Sequence, residues 1–303
     1  MPENPDRPRK RANALDGVSW TRNSISVWSD IRRTAAEKAL KHPAMFPLQL
    51  VARLIECFTP PGPGTILDPF GGVGSTPLAA SLAGKTGIGI ELSADYIRLA
   101  NARHESTLQN GDPPTGDFRM IQADAADLGS FIEPCSVQLC VTSPPYWNIL
   151  QRKRSADHKT IRHYGDQDGD LGRIEGYPEF LDALQAVFRE VFAALIPGGY
   201  CCVAVMDIRR GSQFYPFHSD LAQRLTCDGY IFDDLIIWDR RHEYNNLRPL
   251  GYPAVFRINK VHEFVVIFRK PTAAHASPST SHAAGLRSRG RTSSCAARSG
   301  QPR

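Results

Sequence analysis

Strand-like and helix-like segments alternate through most of this 303-residue chain, and no other feature restricts its fold as strongly. TILDPF at residues 65–70 is followed by the small-residue stretch STPLAASLAG at 75–84, and KTGIGIEL at 85–92 by ADYIRLANARHESTL. FRMIQADA at 118–125 and VQLCVTSPP at 137–145 read as two further strands. In YPEFLDALQAVFREVFAALI apolar residues recur every three or four positions, the period of an amphipathic helix. Pro197-Gly198-Gly199 stops that helix before the strand YCCVAVMD at 200–207. A helix near 216–228 leads to YIFDDLIIWD at 230–239, and HEFVVIFRK at 262–270 is the last strand. Interleaved elements of these lengths specify an α/β fold, a mostly parallel seven-stranded sheet with helices on both faces. The last two strands have no helix between them and are expected to pair antiparallel. Ligands in such folds sit beyond the carboxyl ends of the strands, so the chemistry is expected along one edge of the sheet.

Composition excludes several function classes. Apolar content of 42% and charged content of 22% are those of an ordinary globular protein. No apolar run is long enough for a membrane span, and MPENPDRPRKRANALDG lacks the apolar core of a signal peptide, so a cytoplasmic location is expected. None of the seven cysteines stands in a C-x-x-C pair, which points to reduced, mostly buried thiols rather than a metal site or disulfide framework. The net charge of +5 lies in the ends: Arg7, Arg9, Lys10 and Arg11 near the start, and five arginines with no acid in 271–303. The middle is slightly acidic, so any polyanion-binding surface has to be argued locally. Residues 1–19 read as a flexible basic segment, 20–270 as the folded domain, and the Ser/Ala/Arg-rich 271–303 as a disordered tail.

The first strand ends in LDPFGGVGST. Glycines at 71, 72 and 74 allow a sharp turn whose backbone can approach a ligand. The pattern is neither G-x-G-x-x-G, since Pro77 stands at the third glycine, nor a phosphate-binding P-loop. Asp68 at the strand tip opposes a pyrophosphate and favours a ligand with a cationic centre. Glu91 ends the next strand, placed for the two hydroxyls of a ribose, and Asp124 ends the third, placed to accept from an exocyclic amine. A glycine-rich turn with three acids at successive strand ends suits a positively charged adenosine ligand such as S-adenosylmethionine. The alternative, in which Asp68 and Asp124 only cap helices, leaves the gathering of three acids at one edge unexplained.

The fourth strand breaks at CVTSPPYW. Pro144 and Pro145 remove two backbone donors and fix φ, so no central strand continues through them. Such a turn can aim the Pro144 carbonyl and the Ser143 hydroxyl at an amino group. Acceptors there stabilise the charge that develops when a poorly nucleophilic exocyclic nitrogen is methylated. Tyr146 offers a face for a base flipped out of a duplex, and Trp147 can stack as well or pack beneath. Direct displacement at a methyl sulfonium needs no metal and no covalent enzyme intermediate. Pro134-Cys135 is set aside as a nucleophile, because Cys135 precedes its strand and so lies at the opposite edge.

DPFGGVGST followed by TSPPYW resembles the cofactor and catalytic motifs of the bacterial DNA amino-methyltransferases, which modify cytosine N4 or adenine N6. The resemblance covers most of residues 20–270 and has the cofactor motif first. KHPAMFP at 41–47 is similar to the family's additional cofactor motif, GIELSADYI to its ribose motif, and IPGGY with CVAVMDIRRG to later strand motifs. It implies a Rossmann-like fold dependent on S-adenosylmethionine. Cofactor contacts are then expected from Phe46, Asp68, Phe70, Gly72, Gly74, Ser75, Thr76, Glu91 and Asp124, catalytic ones from Ser143, Pro144, Pro145 and Tyr146, and no metal. Ser at 143 resembles the cytosine-N4 enzymes, although some adenine enzymes carry it too. An adenine-N6 enzyme is the alternative, and an RNA or protein-amide methyltransferase a more distant one, since the amide enzymes use an N-P-P-Y turn.

Two inserts are candidates for target recognition. Residues 148–176 open with Arg152 and Lys153, and 240–260 mix Arg241, Arg248 and Arg257 with Asn245, Tyr244, Tyr252 and Phe256. Basic groups hold phosphates, while asparagine and arginine read base edges. Trp147, Arg152, Lys153, Arg241, Asn245, Arg248 and Arg257 are the expected DNA contacts. The resemblance implies double-stranded DNA as substrate and a restriction-modification or orphan methylation system, with a cognate restriction endonuclease or a recognition subunit as candidate partner.

Overall fold

Ile66 and Leu67 are adjacent, both are completely buried, and each belongs to a different apolar cluster. Side chains alternate across a strand, so a strand buried on both faces must lie inside a sheet covered on both sides. The computed structural model describes residues 12–40, 45–110, 115–148, 169–243, 249–250 and 253–272. Its elements run α1 (Gly17–Asn23), β1 (Val27–Trp28), α2 (Ala35–Ala39), α3 (Leu48–Phe58), β2 (Thr65–Asp68), α4 (Ser75–Leu82), β3 (Thr86–Glu91), α5 (Ala94–Asn110), β4 (Phe118–Gln122) and β5 (Val137–Thr142). After these come α6 (Tyr177–Ala194), β6 (Leu195–Val205), β7 (Ile208–Arg210), β8 (Gln213–Tyr215), α7 (Phe217–Cys227), β9 (Ile231–Asp239) and β10 (His262–Arg269).

The main sheet has the order β1-β9-β10-β6-β5-β2-β3-β4. Its pairs are parallel except those of β10, which runs antiparallel to both β6 and β9. The expected parallel sheet with an antiparallel last strand is therefore present, with eight strands rather than seven. The additional strand is the two-residue β1, held because Ile237 N donates to Ser26 O at 2.8 Å and because Trp28 is 1% exposed, with Arg53 over its ring. No periodicity can announce a strand that short.

On one face α6 and α7 bring Phe180, Leu184, Phe188, Val191, Phe217 and Leu221 against Leu67, Cys140 and Val203. On the other, α3 and α4 bring Leu50, Leu54, Ile55 and Ala80 against Ile66, Leu139 and Val265. Each of the larger of these side chains contributes about 1.5–3 kcal/mol by leaving water. α4 is buried almost all round, which its small residues permit, and Gly87 lets its backbone lie directly on β3. α6 ends at Ala194, earlier than the Pro-Gly-Gly signal, because Leu195 already pairs with Val137 as the start of β6. Among the described residues no helix is long and apolar enough to cross a membrane. Residues 12–19 contain the start of α1, and Asn13 Nδ2 donates to Cys57 O at 3.0 Å. The tail expected from sequence lies, from residue 273 on, outside the described residues.

From β2 the chain steps outward through β3 and β4, then returns to lay β5 against the other side of β2. The carboxyl ends of β2 and β5 thus meet where the strand order reverses, the position at which open α/β sheets form a ligand crevice.

Candidate active site

Asp68 ends β2 and Thr142 ends β5, and the Thr142 hydroxyl donates to Asp68 Oδ1 at 2.6 Å across the point of reversal. Phe70 N donates to the same oxygen at 3.0 Å. The carboxyl is 1% exposed, and burial pushes its pKa up to about 6 although Thr142 and Phe70 pull the other way. Glu91 ends β3 and accepts from Gly72 N at 2.8 Å and Ser93 N at 2.9 Å. Burial raises its pKa too, against those backbone donors, and the field of Asp170 adds to the rise. The glycine turn is tied to the sheet by Gly71 N to Ile90 O at 2.7 Å, and it enters α4 through Gly74 at φ +76°, a left-handed conformation that favours glycine. β4 ends at Gln122, so Asp124 stands just beyond the strand, where it caps the 3-10 helix Ala125–Ser130 by accepting from Ala126 N at 2.9 Å. Capping and the position at the sheet edge are therefore compatible.

These strand ends open into a cleft of about 900 Å³, counting its mouth. Asp68, Glu91, Asp124 and Asp170 line it, and among the described residues no Lys or Arg does. Phe46, Phe70, Gly72, Ser75, Ser143 and Pro145 also contribute to its walls, whereas Gly74 and the buried Thr76 do not. Thr76 instead donates to Val141 O at 3.0 Å, which fastens α4 to β5.

Phe46 is held in the wall by a polar chain. Ser75 Oγ donates to Phe46 O at 3.0 Å and receives Arg103 Nη1 at 3.0 Å, while Arg103 Nη2 pairs with Glu37 Oε1 at 3.0 Å. Glu37 is 4% exposed, closes a capping box with Thr34, and accepts from Leu48 N at the start of α3.

The turn after β5 divides its side chains between cleft and core. Ser143 and Pro145 face the cleft, and Pro144 is buried. Tyr146 is half-buried, with its hydroxyl 3.3 Å from Ser143 Oγ and donating to Glu263 Oε2 at 3.0 Å. Burial, with Glu263 alongside, keeps that phenol far above its ordinary pKa. Glu263 is itself buried and paired with Arg240, which also bonds Glu243, and Glu243 takes both Nε and Nη2 of Arg33. Trp147 has φ +47°, which turns it inward: it is 2% exposed, donates from Nε1 to Ile174 O at 2.9 Å and packs on Tyr177 and Tyr215. It is thus a core residue, which corrects its expected placement on a DNA-facing surface.

Among the other expected DNA contacts, Arg241 leans back on Asp239 at 2.6 Å, and Arg257 donates to the carbonyls of Phe256 and Gly211. Arg152, Lys153, Asn245 and Arg248 lie outside the described residues. Cys135 lies just ahead of β5, at the edge of the sheet opposite the cleft. Two groups escaped the sequence reading. Gly169, Asp170 and Leu171 belong to the cleft although they fall in the first insert, and Gly169 approaches Asp124 so closely that a Cβ would lie 2.2 Å from Oδ2. The D-G-D-L-G run, with Asp170 capping Gly172 N, is the signal that marks a tight turn there. Glu263 is the other, an acid near the start of a largely apolar strand.

A family model described as DNA methylase, for N6 and N4 methyltransferases, matches residues 3–102 and 137–291. The Type II methyltransferase M.ScaI of Streptomyces caespitosus is 37% identical over 95 residues, 29% of this chain and 31% of that protein. M.MjaI of Methanocaldococcus jannaschii is 26% identical over 172 residues, 52% of this chain and 56% of that protein. The chain thus spans about a third to about half of the length of these curated relatives. Among solved structures, a DNA modification methylase of Thermus thermophilus, TTHA0409, described as putative and complexed with S-adenosyl-L-methionine, is 30% identical over 52% of this chain and 57% of that one, with a TM-score of 0.35. The family model covers well over half of the sequence, and the chain belongs to the N6/N4 DNA methylase family.

Proposed function

We propose that this chain transfers a methyl group from S-adenosylmethionine to the exocyclic amine of a base flipped out of double-stranded DNA, with cytosine N4 as the acceptor and adenine N6 as the alternative. One observation carries the reading: Asp68, Glu91 and Asp124 share a single cleft with Ser143 and Pro145 of the TSPPYW turn. A cleft with four acids and no Lys or Arg among its described lining suits a cationic ligand and repels a phosphorylated one. S-adenosylmethionine supplies an electrophilic methyl group on a cationic sulfur.

The chain's own residues provide the rest. Asp68 and the cleft's other acids favour the positive charge of the donor, Glu91 accepts from the ribose hydroxyls, and Phe46 packs as an apolar wall. Ser143 Oγ and the Pro144 carbonyl accept from the target amino group and stabilise the positive charge that grows on its nitrogen. Pro144 and Pro145 hold these acceptors in a stiff turn, so little reorganisation is needed during transfer. Tyr146 provides the stacking face for the flipped base. The choice of cytosine rests on Ser143 standing where other members carry Asp or Asn. Duplex DNA is then the macromolecular partner, with a cognate restriction endonuclease or a recognition subunit if the chain works in a restriction-modification system.

Incubation with tritiated S-adenosylmethionine and unmethylated bacterial DNA, followed by digestion to nucleosides, tests this. Label in N4-methylcytosine is the expected result, and label in N6-methyladenine selects the adenine enzyme. Unlabelled DNA beside labelled RNA or protein overturns the DNA assignment.

A further inference from the structure

β7 and β8 form a separate two-stranded hairpin at the carboxyl end of β6, and it carries no acid between Ile208 and Tyr215. Arg209 lies 5.2 Å and Lys260 5.0 Å from the ring of Phe214, and Arg210 lies 4.7 Å from the ring of Trp147, the residue that follows Tyr146. Arg257 reaches Gly211 O at the hairpin turn. The partners of these four cations among the described residues are rings and backbone carbonyls, and Arg209 also donates to Ser212 O. Asp207 is the acid whose field reaches Lys260, and its Oδ1 already accepts from His218, from Nδ1 at 2.6 Å and from the backbone N at 3.3 Å. Several arginines elsewhere, Arg33, Arg53, Arg103, Arg240 and Arg241 among them, meet carboxylates, while the Arg32 side chain donates to the carbonyls of Ser29 and Ile31. Beside these four cations, Phe256 is 96% and Ile258 86% exposed.

Cations left without carboxylate partners attract an external anion, and large apolar side chains left in water gain from contact with bases or sugars. Because Arg210 covers Trp147, the patch adjoins the turn that carries Tyr146. We infer that the β7–β8 hairpin and the 253–260 segment form one face that grips the backbone of duplex DNA beside that turn, Arg209, Arg210, Arg257 and Lys260 taking phosphates and Phe256 and Ile258 pressing on the base stack. The inference rests on the DNA methylase reading and names the surface that reading requires. It also assigns the hairpin, which the sequence pattern did not reveal.

Electrostatic and apolar interactions leave different marks on binding. Removing one cation from a phosphate should flatten the plot of log affinity against log salt by about 0.9, so Arg209→Ala/Arg257→Ala should reduce the slope by about 1.8 and weaken binding at moderate salt by about tenfold or more. Phe256→Ala should weaken binding while leaving the slope unchanged. The probe is a fluorescently labelled mixed-sequence duplex, and S-adenosylmethionine affinity measured by calorimetry reports that the variants remain folded. Wild-type slope and affinity in both variants would overturn the inference while leaving the methylase reading intact. A wild-type protein that binds RNA but not duplex DNA would overturn both.

Discussion

The hydroxyl of Tyr146 donates to Glu263 Oε2 at 3.0 Å, so the aromatic ring of the turn after β5 is anchored from β10, two strands away in the sheet. Glu263 is in turn paired with Arg240 at the base of the 240–260 insert. A ring held at its far end presents a fixed face, which is what stacking of a flipped base requires. Tyr146→Ala removes that face and should lower turnover by about 10–100-fold, the range of one base–aromatic stack. Tyr146→Phe keeps the ring and loses the hydroxyl's contacts with Glu263 and Ser143, at a stability cost of about 1.5–3 kcal/mol for the bond to a charged group. In both variants cofactor affinity should stay within about twofold of wild type, and Ser143→Ala should follow the same pattern. Steady-state kinetics with cofactor titrations check this; equal loss of cofactor binding would remove the catalytic role from the turn.

On the proposed role of Asp68, cofactor binding and stability should respond to pH in opposite senses. Its carboxyl is pushed up to about 6 by burial, above the unfolded value of 3.8. A raised carboxyl pKa means that the folded state holds the proton more tightly, so its stabilising effect is complete below pH 3.8 and is lost as pH rises through about 6. The loss is on the order of 3 kcal/mol, at 1.36 kcal/mol per unit. A cationic donor is favoured by the ionised form, so S-adenosylmethionine affinity should rise through the same window and level off above it. Asp68→Asn should raise the neutral-pH melting temperature while weakening cofactor binding and flattening its pH dependence. Thermal melts at neutral pH and calorimetric titrations from pH 5 to 8 measure all three, and a wild-type pH profile in the variant would exclude Asp68 as the titrating group.

Asp68, Glu91 and Ser143 were legible from sequence because each stands at a strand end, where an apolar run stops and marks the edge of the sheet. The edge they share followed from the alternation of elements, while the reversal of strand order that puts the cleft between β2 and β5 is seen in the sheet itself. The contact between Tyr146 and Glu263 joins positions 117 residues apart, and that between Glu37 and Arg103 joins positions 66 apart; no local pattern encodes either. Tyr146 and Trp147 look equivalent in the string, and it is the left-handed backbone at Trp147 that sends one ring to the turn and the other to the core. The β7–β8 hairpin escaped because strands of three residues are too short to show a period.

Arg103 should set cofactor affinity without touching the reacting atoms. It bonds Glu37 and Ser75 together, and Ser75 holds the carbonyl of Phe46 in the cleft wall. Arg103→Met leaves the buried Glu37 carboxylate without its cation, a loss of about 3–5 kcal/mol. The melting temperature should fall and KM for S-adenosylmethionine should rise about three- to tenfold, with kcat at saturation nearly unchanged, as for loss of uniform binding. Pairing it with Glu37→Gln removes the stranded charge and should recover part of the stability but not the affinity. Recovery of both would mean that the network supports the fold alone.

Gly87 controls how closely the helix that follows the cofactor turn sits on the sheet. A Cβ at this position would lie 2.3 Å from Pro77 O and 2.4 Å from Pro77 Cα, both backbone atoms of α4 that no rotamer change can move. Gly87→Ala must therefore lift α4 from β3, at a cost of about 3 kcal/mol for an overpacked core. For a chain of this size that corresponds to a fall in melting temperature of roughly 6–12 °C. Because α4 begins at Ser75, directly after Gly74, the lift also shifts the cleft wall, and cofactor affinity should fall with stability. Gly17→Ala is the control, with open space around the added carbon and no left-handed backbone; it should leave both quantities within about 0.5 kcal/mol of wild type. Thermal melts with and without S-adenosylmethionine distinguish the two effects: a destabilised Gly87→Ala that keeps its full ligand-induced shift would mean that α4 can move without disturbing the cleft.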